Sequence, residues 1–200
     1  GRIHNDKGAR QAIEIARACG KKLVLAGIIQ DQAYFDHHVA PHIDGDTVSY
    51  VGSVGPVARN RLLGNACALL HPIQFNEPFG LSVVEAMACG TPVVAFNRGS
   101  MPEIIENDKN GCLVDTVDEA IDAVARIPGI DRIDCRRHVE QHFTAERMIQ
   151  DYIQVYEMIL DAKKPLNGLG RSEPADGLRP LITPKRSYRK ARHANPSSHH

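Results

Sequence analysis

Two glutamates eight positions apart, Glu77 and Glu85, flank a Pro and a Gly in the stretch NEPFGLSVVEAMACGTPVVAF at residues 76–96. Glu77 precedes the expected helix and Glu85 lies inside it, so the two flank a helix mouth instead of capping it together. Acids near a helix start gain about 0.3–1 kcal/mol each from the free amides and the dipole, and spacing alone asks for nothing more. The neighbours add chemistry. Gly80 permits close backbone approach, and the amides of Gly80, Leu81 and Ser82 would point at an anion. The opening stretch GRIHNDKG contributes two cations, Arg2 and Lys7. Cations and a helix mouth suit a diphosphate, which two carboxylates would repel unless they face its neutral ends. Carboxylates pair well with vicinal hydroxyls. Cations in the middle with acids on either side therefore match a nucleoside diphosphate sugar, with a ribose diol on one side and a hexose on the other.

Helical periodicity alternates with short β-branched runs from residue 7 onward, the pattern of a parallel sheet with crossover helices. The spacing predicts helix 7–19, strand 22–27, helix 31–43, strand 47–52, helix 56–65, strand 67–71 and helix 80–89. Strand 92–96, a short helix 101–107, strand 111–115 and helix 117–127 follow, then helices 131–142 and 144–162. Gly20, Gly90 and Gly111 fall where helices should stop. In an open parallel sheet, ligands bind beyond the carboxyl ends of the strands. NEPFGLS follows strand 67–71, and GRIHNDKG would follow a first strand cut off by the start of the chain, so both unusual segments fall at that end. Helix 144–162 carries Met148, Ile149, Tyr152, Ile153, Tyr156, Ile159 and Leu160 at three- and four-residue spacings, a wide stripe that needs a surface to cover.

Two hundred residues suffice for one domain with a sizeable core. The formal net charge of zero hides an asymmetry: residues 165–200 hold seven Lys/Arg against two acids, so the remainder is acidic by five. From Lys163 onward Pro, Gly, Ser and Arg replace periodicity. The expected organisation is a folded domain over 1–162 and a disordered basic tail over 163–200. That tail has one aromatic, Tyr188, and no recognisable nucleic-acid module, so no nucleic-acid partner is expected, while peripheral association with a membrane stays open. Five scattered cysteines without a CxxC fit reduced thiols in a cytoplasmic protein. No apolar run approaches the roughly 20 residues that span a bilayer.

Other candidates have simpler readings. The DGD at Asp44–Asp46 imitates a metal-binding DxD but lies between a helix and a strand, where Asp-Gly is a common turn. His37, His38 and His42, and Cys135, His138 and His142, share helical spacings without an established metal-site pattern. No metal is expected. His71 ends a strand beside the presumed site, where ligand contact and packing are both open.

GRIHNDKG, the E-x7-E pair and EAMACGTPVVAFNRGSMPEIIENDKNGCLVD, in that order, resemble the donor-binding half of retaining glycosyltransferases of family 4. The resemblance covers about residues 1–160. It implies an α/β fold, a Rossmann-like parallel sheet with helices on both faces, forming the C-terminal half of a GT-B enzyme. It further implies that Arg2 and Lys7 hold the diphosphate and that Glu77 contacts the transferred sugar. The Phe79-Gly80-Leu81-Ser82 backbone would lie near sugar and phosphate, with Glu85 on the ribose hydroxyls. A second cation falls near Arg59, with Arg61 as its competitor. The implied activity moves a hexosyl group from a UDP- or GDP-type donor to an unknown acceptor, with no cofactor or catalytic metal. A separate N-terminal domain would supply the acceptor site. Two alternatives are a nucleotide-sugar-binding module without transfer and a related nucleotide-sugar epimerase.

Overall fold

The computed structural model describes residues 1–162; the expected basic tail over 163–200 lies outside the described residues. The chain alternates helix and strand: α1 (Ala9–Ala18), β1 (Leu23–Leu25), α2 (Gln32–His38), β2 (Val48–Tyr50), α3 (Pro56–Asn65) and β3 (Leu69–His71). There follow α4 (Leu81–Ala88), β4 (Val93–Phe96), α5 (Met101–Ile104), β5 (Gly111–Val114), α6 (Val117–Arg126), α7 (Arg132–His142) and α8 (Ala145–Ala162).

All strand pairings among the described residues are parallel, as the alternation requires, but they form two sheets instead of one. β1 pairs with β2, and the second sheet has the order β3-β4-β5. The opening segment runs between them. Ile3 bridges Ile29 in parallel on one side, and on the other the Asp6 carbonyl accepts the Gln74 amide at 2.7 Å. The larger core gathers around β4, whose Val93, Val94, Ala95 and Phe96 are all buried, the continuous apolar run of a strand covered on both faces. α4 contributes Val83, Val84, Ala86 and Met87 to it. A smaller core unites Ile3, Ile13, Leu25, Tyr34, Val39 and Val48 around the first ladder.

Helix ends follow their side chains. Asp31, Thr116 and Asp131 accept amide hydrogen bonds as N-caps of α2, α6 and α7. Gly20 and Gly90 adopt left-handed φ of 60° and 74° just past α1 and α4, closing both helices as expected.

Three expected boundaries change for local reasons. The helix expected over 7–19 is a 3-10 turn, Asn5–Lys7, then α1, because Gly8 at φ 72° breaks the run with its α-carbon against the Pro72 carbonyl. The helix expected over 31–43 ends at His38, and Pro41 lies in a separate 3-10 turn, Ala40–His42. The helix expected over 101–107 lasts four residues, and the left-handed residue of the following turn is Asp108 (φ 62°). Gly111 consequently opens β5, where an added Cβ would stand 2.5 Å from the Val93 carbonyl oxygen.

The chain divides into Gly1–Met158 and Ile159–His200; of the second unit only Ile159–Ala162, the end of α8, is described. In α8, Met148, Ile149, Tyr152, Ile153 and Tyr156 are all exposed, so the stripe read from the sequence lies uncovered. No helix among the described residues is long and apolar enough to cross a membrane.

Candidate functional site

The mouth lies beyond the carboxyl end of β3, where the 72–80 segment leads into α4. Gly80 is the N-cap of α4 with φ 90°, and no side chain caps this helix. Glycine suits the position because the backbone is left-handed, a conformation that strains an L side chain, while the nearest atom to an added Cβ is the flexible end of Met101. Leu81 is exposed and Ser82 half-buried, so the first turn of α4 faces outward with its amides.

The two acids do not face each other; each meets a cation from another element. Lys7 Nζ stands 2.7 Å from Glu77 Oε2, joining the 3-10 turn to the 72–80 segment across 70 positions of sequence. Both side chains are largely buried, 20% and 14% exposed, and the Lys7 ammonium also lies over the Phe75 ring at 4.4 Å. Arg59 Nη1, from α3, stands 2.8 Å from Glu85 Oε1 in α4. This second pair is more exposed, and its Coulomb energy is correspondingly screened. The Glu77 side chain lies beside Gly80 at the start of α4, and Glu85 lies about one turn further along the same helix.

Arg2 is not brought onto either acid. Its guanidinium donates to Gln30 Oε1 and lies 3.8 Å from Asp6 Oδ2. Asp6 is the residue before Lys7, so Arg2 flanks the cation without joining its pair. Phe79 is exposed, with its ring edge-on to Phe143 at 6.0 Å. Its carbonyl accepts the Ser100 hydroxyl at 2.8 Å.

Gly99 and Ser100 belong to the site although motif spacing gave them no role. The Ser100 amide donates to the Glu77 carbonyl at 2.9 Å, and Gly99, at φ 62°, lies with its α-carbon against the Glu77 backbone. The segment after β4 thus fixes the loop that carries Glu77. The available signal was its place: Asn97-Arg98-Gly99-Ser100 also follows the carboxyl end of a strand.

His71, the last residue of β3, is 7% exposed and lies behind Glu77, with 3.9 Å between Nε2 and Oε2. Burial depresses its pKa to about 4, so the ring is neutral at physiological pH.

The other sequence candidates resolve into structure. Asp44 Oδ1 accepts the amides of Asp46, Thr47 and Val48, the turn expected of DGD. The Thr47 hydroxyl, followed by these amides, holds the Asp44 carboxyl well below the usual carboxylate range. His37 bonds the Ala33 carbonyl, His42 faces Arg17, and His138 bonds the Ile104 carbonyl. Among the described residues no group of three or more His, Cys, Asp or Glu is placed to hold a metal ion. All five cysteines are free.

Chemically, the mouth offers cations on two elements, each matched to a carboxylate, beside outward amides at a helix start. It can take an anion flanked by hydroxyl groups. The family model described as "Glycosyl transferases group 1" matches residues 1–130. A D-inositol 3-phosphate glycosyltransferase of Saccharomonospora viridis is 29% identical over 167 residues, 80% of this chain and 38% of the relative. The crystal structure of AviGT4, a glycosyltransferase involved in avilamycin A biosynthesis, superposes with a TM-score of 0.70 at 32% identity, covering 80% of this chain and 50% of that one. The fold is also that of Anabaena HepE, solved with UDP-glucose, at a TM-score of 0.65 and 21% identity over 80% of this chain and 47% of HepE. The chain spans half the length or less of these relatives.

Proposed function

Because this chain belongs to the glycosyl transferases group 1 family, with the fold of the C-terminal half of GT-B enzymes, we propose that it forms the donor-binding half of a retaining, family 4-type hexosyltransferase. The donor is a nucleoside diphosphate hexose such as a UDP- or GDP-sugar. The observation that carries this reading is the pairing of Lys7 with Glu77 and of Arg59 with Glu85 around the start of α4.

Such pairing explains how acids and cations share one site. Each carboxylate neutralises its cation while the site is empty, and a diphosphate entering at the α4 amides draws the cations toward itself. Glu77 is then free for the hydroxyls of the transferred hexose and Glu85 for the ribose diol. Lys7, Arg59, the nearby Arg2 and the backbone of Phe79, Gly80, Leu81 and Ser82 stabilise negative charge on the departing diphosphate. No metal or cofactor enters this scheme. The remaining half of the enzyme and the acceptor site belong to a preceding GT-B domain, and the uncovered α8 stripe is the surface it would contact. With the thiols of all five cysteines unpaired, we assign the enzyme to the cytoplasm.

The test is ligand-dependent thermal stability of the chain. A ligand at 100 times its Kd stabilises the native state by about 2.7 kcal/mol. One of UDP, GDP and ADP is expected to raise Tm by several degrees, and its hexose conjugate to raise it further. Equal, negligible shifts for all of them would argue against a donor site.

A further inference from the structure

We propose that His71 is a positioning residue that takes hold of Glu77 when the donor diphosphate draws Lys7 away. The proposal rests on the donor-site reading and concerns what happens to Glu77 after its ion pair opens.

Three features point to this exchange. First, His71 Nε2 is buried and has no hydrogen-bond partner, an expensive state for a polar atom unless it has a use. Second, Glu77 Oε2 lies 3.9 Å away, too far for a hydrogen bond but within one short side-chain adjustment of it. Third, that same oxygen is occupied by Lys7 Nζ at 2.7 Å, so His71 and Lys7 compete for one acceptor.

The charged groups acting on the ring are Glu77, Lys7 and the Gly1 amino group. A neutral imidazole facing a carboxylate is favoured in the tautomer that carries its proton on Nε2, since the opposite tautomer would set a lone pair against the anion. His71 is sealed behind Glu77 and so reaches the ligand only through it. Without His71, a Glu77 released by Lys7 would be a largely buried carboxylate with no fixed partner, and its orientation toward the hexose would be lost. The Ser100 amide fixes the Glu77 backbone from one side, and His71 fixes the carboxylate from the other.

The experiment compares UDP, GDP and ADP with UDP-glucose, GDP-mannose and ADP-glucose by calorimetric titration of wild type, His71→Leu and His71→Gln. The readout is the affinity advantage of the hexose conjugate over its own diphosphate. His71→Leu should reduce that advantage about tenfold, the scale of one hydrogen bond to a charged group, and His71→Gln, which keeps an N–H near Nε2, should restore most of it. A packing role would weaken all ligands together and leave the ratio intact, and an intact ratio overturns the proposal. Nitrogen-15 NMR of the wild-type imidazole gives a second readout that does not depend on the variants folding. The Nε2 signal of His71 should shift on saturation with the bound diphosphate, and an unchanged signal also overturns the proposal. If no diphosphate binds the wild type, the donor-site reading fails and this proposal with it. A diphosphate that binds with an unaltered hexose advantage in His71→Leu defeats the His71 role alone.

Discussion

Replacing Gly99 by alanine is expected to lower the unfolding free energy by about 2–4 kcal/mol and to abolish discrimination between a nucleoside diphosphate and its hexose conjugate. The residue has φ 62°, where an L side chain is strained by roughly 1–2 kcal/mol. The added Cβ would also collide with the amide and carbonyl of Glu77 and stand 2.8 Å from the Asn76 carbonyl carbon. These neighbours are backbone and cannot swing aside as a flexible side chain would. The 76–80 segment must therefore shift, breaking the Ser100 amide to Glu77 carbonyl bond and carrying the Glu77 carboxylate with it. Urea denaturation gives the stability change, and paired titrations give the loss of sugar preference. A variant with wild-type stability would show that the two loops do not hold each other.

The second large effect is at Lys7. Lys7→Met should destabilise the fold by about 2–3 kcal/mol, because it leaves Glu77 largely buried with no cation beside it. Glu77→Leu in the same chain should recover most of that loss and bring stability to within about 1 kcal/mol of wild type, since it removes the stranded charge. Binding should not recover: the double variant lacks both the cation proposed to hold the diphosphate and the acid proposed to face the sugar. Denaturation curves for the four members of this cycle, with calorimetric titration on each, separate the two roles. Additive losses in stability would mean that the ion pair seen between Lys7 and Glu77 is not formed in solution.

The order of elements and the end of the sheet at which the candidate residues gather were legible in the sequence. Periodicity distinguishes helix from strand over segments as clear as α6 and β4, and helix-stopping glycines at positions 20 and 90 do what their type predicts. Motif order placed Glu77 and Glu85 on either side of the α4 start, where the structure has them. The pairing of each acid was not legible. Lys7 meets Glu77 across 70 positions and Arg59 meets Glu85 across two elements, contacts fixed by how the 3-10 turn and α3 pack. The sequence likewise grouped Arg2 with Lys7 as equal cations, whereas the fold turns Arg2 toward Gln30 and Asp6. Periodicity runs through Gly8 because one glycine weakens a helical pattern without erasing it. What decides its conformation is the Pro72 carbonyl beside it, a tertiary neighbour. The break into two sheets has the same origin, since alternation signals parallel strands without saying which are hydrogen-bonded.

The mouth at α4 is proposed to bind a nucleoside diphosphate sugar through Lys7, Glu77, Arg59 and Glu85. The most direct test is calorimetric titration of UDP, GDP, ADP and their hexose conjugates into the 200-residue chain, wild type beside Glu85→Ala and Arg2→Ala. One nucleotide is expected to bind, and both substitutions to weaken it by about tenfold or more, Glu85→Ala through the ribose and Arg2→Ala through the diphosphate. A chain that is folded by circular dichroism and binds none of them, or binds one with an affinity that neither substitution alters, would contradict it.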